Sequence, residues 1–289
     1  MIAVGRGYAG RPPAARWIAA LLFAIALPAP AAERIASLNL CLDQILLRWV
    51  PPQRIVSVTW LSAEAQYRNA PIPEHVALNR AQAEELIPLQ PDLVLAGQFG
   101  AQRAAARLEE MGFRVVRIPD AYTLEQLQTQ LGALEQALGP LPPLRARQQQ
   151  LAELLAPARQ KNPQAADVKH PTALILSANN ITYGSGMLEH QLLTRAGFIN
   201  LAAEQGIDQL GRVSLEQVIA LQPDLLVFYG GAQDFAIAHL AERHPVLKRY
   251  IDSGRSYRLP EALGYCPALA AVDALEQLQQ KRAELVQQP

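Results

Sequence analysis

Two segments, one in each half of the chain, carry the same order of hydrophobic and polar positions. Residues 84–95 have the sequence EELIPLQPDLVL and residues 216–227 have EQVIALQPDLLV, identical at seven of the twelve positions. Each pattern predicts a short amphipathic helix that stops at Pro91 or Pro223, followed by an aliphatic strand buried on both faces. We interpret the pair as an internal repeat of one structural unit.

The two copies differ in how regular the predicted helix is. Pro88 lies inside the first helical pattern and should kink or shorten that helix. In the second copy, Ser214 and Gln217 have the spacing of a capping box, which favours a regular helix start.

Aliphatic runs alternate with helical patterns on both sides of the chain's middle, as in a parallel α/β sheet. The predicted strands are residues 34–38, 54–58, 92–96 and 114–118, then 172–177, 224–228 and 256–259. The predicted helices include residues 42–49, 101–111, 187–196 and 268–285. The pattern predicts an α/β protein with two Rossmann-like lobes, each containing a parallel sheet.

The two predicted lobes are separated by helical sequence. Apolar residues recur with helical spacing over residues 123–138, and a second helix is predicted from Pro142 to about residue 158. Residues 161–171 are polar, bounded by prolines and predicted to form an exposed loop. We therefore expect a long α-helix to join the lobes and to limit their closure. The predicted segments are a signal peptide (1–31), an N-terminal lobe (32–140), a linking helix and loop (141–165) and a C-terminal lobe (166–289).

The first segment has the features of an export signal. Arg6, Arg11 and Arg16 lead into the apolar run at residues 17–27, and residues 29–31 have the sequence Ala-Pro-Ala. An apolar run this short followed by an A-x-A site is typical of a cleaved signal peptide. We expect the mature protein to begin near Ala32 and to function in the periplasm, with an uncleaved anchor helix as the alternative.

Composition and motifs narrow the function classes further. Half of the 289 residues are hydrophobic and the formal net charge is zero, so a large core is expected and a nucleic-acid partner is not. The chain has no nucleophile elbow, P-loop or dinucleotide fingerprint, and its five histidines are scattered, so we expect neither an enzyme nor a direct metal site. Cys41 and Cys266 could form one disulfide or remain as two buried thiols.

With these features the mature chain resembles the periplasmic binding proteins for cobalamin and ferric siderophores, whose two lobes are joined by a long helix. The resemblance is carried by residues 34–38 (RIASL), 89–94 (LQPDLV), 183–186 (YGSG) and 196–200 (AGFIN). It implies a monomer that captures a metal chelate, a ferric siderophore or cobalamin before haem, and delivers it to an inner-membrane ABC permease. It also implies no cofactor beyond the bound chelate. The alternative is a ligand-free periplasmic adaptor of the same fold.

The resemblance implies roles for two glutamates and two cysteines. In that family, one surface glutamate on each lobe docks against permease arginines, and the matching residues are Glu84 and Glu216, which are also equivalent in the repeat. The alternative is that both are ordinary solvated residues at helix starts. In this fold Cys41 and Cys266 would both lie near the rim of the cleft between the lobes.

Ligands of open α/β sheets bind beyond the carboxyl ends of the strands. Aromatic faces there can pack against a macrocyclic or catecholate chelate, and polar groups can anchor its edge. Arg68, Arg80 and Arg103 lie near first-lobe strand ends and could meet an anionic siderophore. The predicted ligand-binding residues are Trp60, Gln98, Phe99, Asn180, Tyr183, Tyr229 and Tyr265.

Overall fold

The computed structural model describes Met1 and residues 32–156, 170–230 and 244–287. The rest of the predicted signal peptide and most of the predicted loop at residues 161–171 lie outside these ranges. In the described ranges no helix has both the length and the hydropathy needed to cross a membrane.

The N-terminal lobe contains a five-stranded parallel sheet in the order β3-β2-β1-β4-β5. This is the strand order of a Rossmann-type sheet, with its topological switch point between β1 and β4. Its strands are β1 (Ile35–Ser37), β2 (Ile55–Thr59), β3 (Ala77–Asn79), β4 (Leu93–Gly97) and β5 (Val115–Ile118). Its helices are α1 (Leu40–Trp49), α2 (Ala83–Leu86) and α3 (Gln102–Glu110).

The C-terminal lobe contains a four-stranded parallel sheet in the order β11-β10-β6-β8 and an antiparallel ribbon of β7 with β9. Its strands are β6 (Thr172–Leu176), β7 (Ile181–Tyr183), β8 (Ile199–Asn200), β9 (Leu210–Arg212), β10 (Leu225–Tyr229) and β11 (Ser256–Leu259). Its helices are α6 (Leu188–Ala196), α7 (Leu201–Glu204), α8 (Leu215–Leu221), α9 (Pro245–Asp252), α10 (Ala262–Tyr265) and α11 (Pro267–Gln287).

Two helices, α4 (Leu124–Leu138) and α5 (Pro142–Leu155), connect the sheets. The Gln191 side chain of α6 accepts a hydrogen bond from the Leu124 backbone N–H at 2.6 Å and donates one to Glu125 at 2.9 Å. Arg147 of α5 pairs with Asp273 of α11 at 2.7 Å. The connection is therefore fastened to the second lobe at both of its helices.

One hydrophobic cluster extends through both lobes and the helices between them. It contains Ile45 of the first lobe, Leu131 and Leu144 of the connecting helices, and Leu193 and Leu275 of the second lobe, all fully buried. A smaller cluster covers the opposite face of each sheet. Both sheets are thus covered on two faces, which explains why the central strands β4, β6 and β10 are almost wholly hydrophobic.

The sequence repeat is also a structural repeat. After each repeat helix, Gln90 and Gln222 adopt left-handed backbone conformations with φ of 47° and 45°. Asp92 then accepts a hydrogen bond from the Arg34 backbone N–H, and Asp224 accepts the equivalent one from Thr172, each at the start of the neighbouring strand.

The α/β fold with two parallel-sheet lobes is confirmed, and seven predicted strands correspond to observed ones within a residue or two. Pro88 shortens the first repeat helix to four α-helical residues followed by a 3-10 turn. The predicted capping box of Ser214 and Gln217 is present in α8. The sequence prediction missed helix α9, which His244 caps through its ring nitrogen, and four short strands, β3, β7, β8 and β9.

Candidate functional site

A cavity of about 310 Å³ lies between the lobes at the carboxyl ends of the strands. This is the position that parallel α/β sheets use for ligands. Residues of the first lobe and α4 that line it are Cys41, Asp120, Ala121, Tyr122 and Gln130. Residues of the second lobe that line it include Tyr183, Met187, Glu189, Tyr229, Gly264 and Tyr265.

Tyr183 and Tyr229 form a stacked aromatic pair in the cavity wall, with ring centroids 5.2 Å apart and planes at 17°. Tyr183 ends strand β7, and its carbonyl accepts a hydrogen bond from the Asn200 side chain at 2.9 Å. The following Gly184 lies so close to the segment at residues 207–209 that a Cβ would come within 2.0 Å of the Ile207 carbonyl oxygen. The glycine therefore allows the backbone contact that fixes Tyr183 at the cavity.

Tyr229 ends strand β10, and its side chain is largely buried. Its hydroxyl donates a hydrogen bond to Glu189 Oε1 at 3.1 Å. Glu189 lies on the buried face of α6, and burial raises the pKa of its carboxyl, an effect that its own backbone N–H and the Tyr229 hydroxyl oppose. Burial and the neighbouring Glu189 charge raise the pKa of Tyr229 strongly, so this hydroxyl keeps its proton.

Two contacts join the lobes beside the cavity. Tyr265 of the second lobe meets Tyr67 of the first in an edge-to-face contact, with centroids 5.6 Å apart. Cys41, near the start of α1, forms a disulfide with Cys266, which precedes α11. Both links cross from one lobe to the other, so they fix the width of the cleft at this end.

The first lobe contributes polar groups from the segment that follows β5. Burial raises the pKa of the Asp120 carboxyl, while a hydrogen bond with Tyr122 opposes the rise. The Gln98 side chain accepts a hydrogen bond from the Asp120 backbone N–H at 3.2 Å. Gln130 of α4 donates to the Pro119 carbonyl at 2.7 Å, which fixes the orientation of its side-chain amide.

Three of the predicted ligand-binding residues, Tyr183, Tyr229 and Tyr265, line the same cavity. The other four, Trp60, Gln98, Phe99 and Asn180, are not among its lining residues and stay predictions for the wider cleft. Trp60 and Phe99 are 43% and 63% exposed, each just beyond a strand of the first sheet. Arg68, Arg80 and Arg103 do not line the cavity either.

Sequence reasoning missed Asp120, Tyr122, Gln130 and Glu189. Asp120 and Tyr122 follow β5. They could have been found by including the residues after this strand, since ligands bind beyond the carboxyl ends of parallel strands. Gln130 and Glu189 each interrupt the buried apolar face of a helix. A polar residue at such a position signals either a buried hydrogen bond or a binding site.

A second polar cluster lies on α1, two residues from the disulfide. Asp43 is fully buried, and its Oδ2 atom accepts hydrogen bonds from the backbone N–H of Thr59 and the hydroxyl of Ser62, both at 3.0 Å. Burial raises the pKa of Asp43 to about 6, although hydrogen bonds from Ser37, Thr59 and Ser62 limit the rise. This network ties α1 to the end of β2.

Glu84 and Glu216 are both exposed, near the starts of the equivalent helices α2 and α8. Hydrogen bonds from its own backbone N–H and from Ser214 lower the pKa of Glu216. Within the described ranges, no group of three or more His, Cys, Asp or Glu side chains is arranged to hold a metal ion.

Comparisons with known proteins agree with this architecture. The chain is 34% identical over 153 residues to a vitamin B12-binding protein of Salmonella typhi, a match covering 52% of this chain and 55% of that protein. The chain thus spans about half the length of the curated relatives it matches.

Solved structures match over most of the chain. The haem-binding protein RhuT of Roseiflexus sp. RS-1 has a TM-score of 0.61 and 22% identity, with 89% of this chain and 100% of that chain covered. The vitamin B12-binding protein BtuF of Vibrio cholerae has a TM-score of 0.55 and 20% identity, with 89% and 99% covered. At this identity the likeness shows the fold.

The family model for periplasmic binding proteins matches residues 35–252, which include the first sheet, the helical connection and most of the second sheet. The relatives named above are binding proteins and not enzymes. The two-lobe fold, the cavity between the lobes and this match together show that the chain belongs to the periplasmic binding protein family.

Proposed function

We propose that this protein captures a metal chelate, a ferric siderophore or cobalamin before haem, in the cleft between its lobes and delivers it to an ABC permease. The observation that carries the proposal is the cavity at the strand ends, where tyrosines from both lobes meet. Tyr122 of the first lobe faces the same space as Tyr183, Tyr229 and Tyr265 of the second. Aromatic rings on two sides suit a flat, partly apolar ligand.

The cavity is smaller than a macrocyclic chelate, so we propose that it receives one edge of the ligand. The exposed rings of Trp60 and Phe99, beyond β2 and β4, would then cover the part that stays outside. The matches named for B12 binding and for haem binding support this ligand class.

Delivery requires contact with a membrane partner on both lobes. Glu84 and Glu216 are exposed carboxylates at equivalent positions of the structural repeat, which suits two charge-assisted pairs with arginines of a two-fold symmetric permease. We further propose that residues 1–31 are a cleaved signal peptide that exports the chain to the periplasm. Mass spectrometry of protein purified from the periplasm, showing a mature start near Ala32, tests that step.

Tryptophan fluorescence tests ligand capture. The chain has three tryptophans, and only Trp49 and Trp60 lie beyond the proposed leader. In a mature Trp49→Phe variant, a bound corrinoid, haem or ferric siderophore should quench the emission of Trp60. The matched Trp60→Phe variant, which keeps the partly buried Trp49, should respond less. Folded protein that binds no member of this panel by fluorescence or calorimetry would contradict the proposal and favour a ligand-free adaptor.

A further inference from the structure

The described residues of the cavity wall have an uneven charge. Asp120 and Glu189 carry carboxyl groups, and none of the described lining residues is an arginine, a lysine or a histidine. A ligand edge with carboxylates, phenolates or phosphates would meet like charge here with no described counter-charge in the wall. An uncharged edge that donates hydrogen bonds would meet acceptors.

Two of those acceptors are buried and lack a hydrogen-bond partner among the described residues. They are Glu189 Oε2 and Gln130 Oε1, on helices that approach the cavity from the second lobe and from the connection. A buried polar atom without a partner destabilises the folded protein. Such atoms are expected where a ligand supplies the missing bond.

The existing hydrogen bonds of Glu189 and Gln130 show which atom of each side chain is left for a ligand. The Tyr229 hydroxyl already donates to Glu189 Oε1, so the carboxylate's second oxygen is the one without a partner. The Gln130 amide nitrogen is engaged by the Pro119 carbonyl, so its oxygen is oriented as the free end. The ionised Glu189 carboxylate and the Gln130 amide oxygen therefore both offer an acceptor to the cavity.

We propose that Glu189 and Gln130 are specificity-determining residues, which select a chelate whose inserted edge carries N–H donors and no negative charge. Primary carboxamides around a macrocycle have this chemistry, whereas haem propionates and ferric catecholates do not. The inference rests on the proposed function, because it assumes that the chelate enters this cavity.

Ligand chemistry can be varied on the wild-type protein, which avoids any question of folding. Cyanocobalamin carries primary amides on its rim, and its monocarboxylic acid derivatives replace one amide with a carboxylate. We expect cyanocobalamin to bind more tightly than haem or a ferric catecholate. At least one monocarboxylic acid isomer should bind about 10-fold or more weakly than the parent, because its carboxylate faces the acceptors.

Variants connect that preference to the two residues. Glu189→Gln keeps the side-chain shape but removes the charge, and its N–H₂ group would face the N–H donor of the ligand. The affinity for cyanocobalamin should therefore fall about 10- to 100-fold. The penalty for the weakest monocarboxylic acid should shrink in the same variant, since the new amide can donate to its carboxylate. Gln130→Met should also weaken the binding of cyanocobalamin without weakening the binding of haem. Glu204→Gln, an exposed change on α7, serves as the matched control and should have no effect.

The outcomes separate the two proposals. Wild-type protein that binds haem or a ferric catecholate more tightly than cyanocobalamin would overturn the donor selection while leaving chelate capture intact. Equal losses for the parent corrinoid and its monocarboxylic acids in Glu189→Gln would reduce Glu189 to a structural role and also overturn the selection. Protein that binds no chelate would overturn both proposals.

Discussion

Cys41 and Cys266 are separated by 225 residues in sequence, yet their Cα atoms lie 4.8 Å apart and a disulfide joins them across the two lobes. Cys41 lies in the first turn of α1, and Cys266 directly precedes α11. The bond therefore restrains the two lobes at the cavity wall, where Tyr67 and Tyr265 also meet.

Replacing both cysteines should lower the free energy of unfolding by about 3–5 kcal/mol, because the bond closes a very long loop in the unfolded chain. Denaturant unfolding of Cys41→Ser/Cys266→Ser beside the wild type measures the change. Adding a reductant should destabilise the wild type and leave the double variant unchanged. Two free, accessible thiols in the native wild-type protein would contradict the prediction.

Burial of Asp43 predicts a pH-dependent stability. The pKa of Asp43 is about 6 in the folded protein against 3.8 for the unperturbed group, so the folded state binds this proton more tightly. The stabilising contribution is complete below about pH 4 and is lost as the pH rises through 6. Between pH 8 and pH 4 the wild type should gain about 2–3 kcal/mol of unfolding free energy relative to Asp43→Asn, because the pKa difference is about two units.

Denaturant unfolding at several pH values, with and without the Asp43→Asn change, isolates this contribution. Exposed carboxyls whose pKa is lowered, such as Glu109 and Glu135, act in the opposite direction in both proteins and cancel in the difference. A difference that stays constant from pH 4 to pH 8 would show that Asp43 does not titrate in this range.

The parts of the fold that sequence could predict are those in which local pattern and burial agree. Strands β4 and β10 are buried, almost wholly hydrophobic runs because helices cover both faces of their sheets, and the sequence repeat fixes the turn that precedes each strand. Strands β7, β8 and β9 contain only two or three residues, too few for a periodic pattern to form. The pairing of β7 with β9 lies beside the close approach of Gly184 to Ile207, which only the folded chain defines.

The residues of the candidate site that follow strands could be predicted from the sequence, whereas those on helix faces could not. Tyr183 and Tyr229 were found because they follow the predicted strands at residues 172–177 and 224–228, and strand ends meet at one edge of a parallel sheet. Glu189 and Gln130 reach the cavity from helix faces, so their position depends on how α6 and α4 are rotated against the sheets. The contact of Tyr67 with Tyr265 depends on the arrangement of the two lobes, which no local pattern contains.

The hydrogen bond from Tyr229 to Glu189 predicts that Tyr229→Phe lowers stability in a pH-dependent way. Tyr229→Phe removes the donor and leaves a buried carboxyl without that partner, which should cost about 1–3 kcal/mol of unfolding free energy. The pKa of Glu189 should rise further, so the loss should be larger at pH 8 than at pH 5.

A double-mutant cycle measures this pair directly. In a Glu189→Gln background, Tyr229→Phe should cost less, because the side chain it leaves unpaired is no longer charged. Tyr257→Phe is the matched control, since that hydroxyl donates to the neutral amide of Gln277 and should show little dependence on pH between 5 and 8. Additive effects of the Tyr229 and Glu189 changes would contradict the coupling.

Equivalent positions on the two lobes predict that transport depends on Glu84 and Glu216 together. Each is exposed near the start of a repeat helix, outside the cavity lining, so the double change Glu84→Ala/Glu216→Ala should leave chelate affinity within about twofold. Uptake in cells that rely on this protein should fall about 10-fold or more, because two charge-assisted contacts with the permease would be lost.

Charge reversal makes the same test more demanding. The double change Glu84→Lys/Glu216→Lys would repel permease arginines, so uptake should fall below that of the alanine double variant. Each single reversal should give an intermediate rate of uptake. Glu74→Lys and Glu204→Lys make equal changes in charge at exposed positions, one on each lobe, and should transport normally. If the control pair impaired uptake as strongly as the Glu84 and Glu216 pair, the effect would come from net charge and not from docking at the repeat helices. Because Glu84 and Glu216 are each the second residue of their repeat helix, equal losses from the two single reversals are the outcome that a two-fold symmetric partner requires.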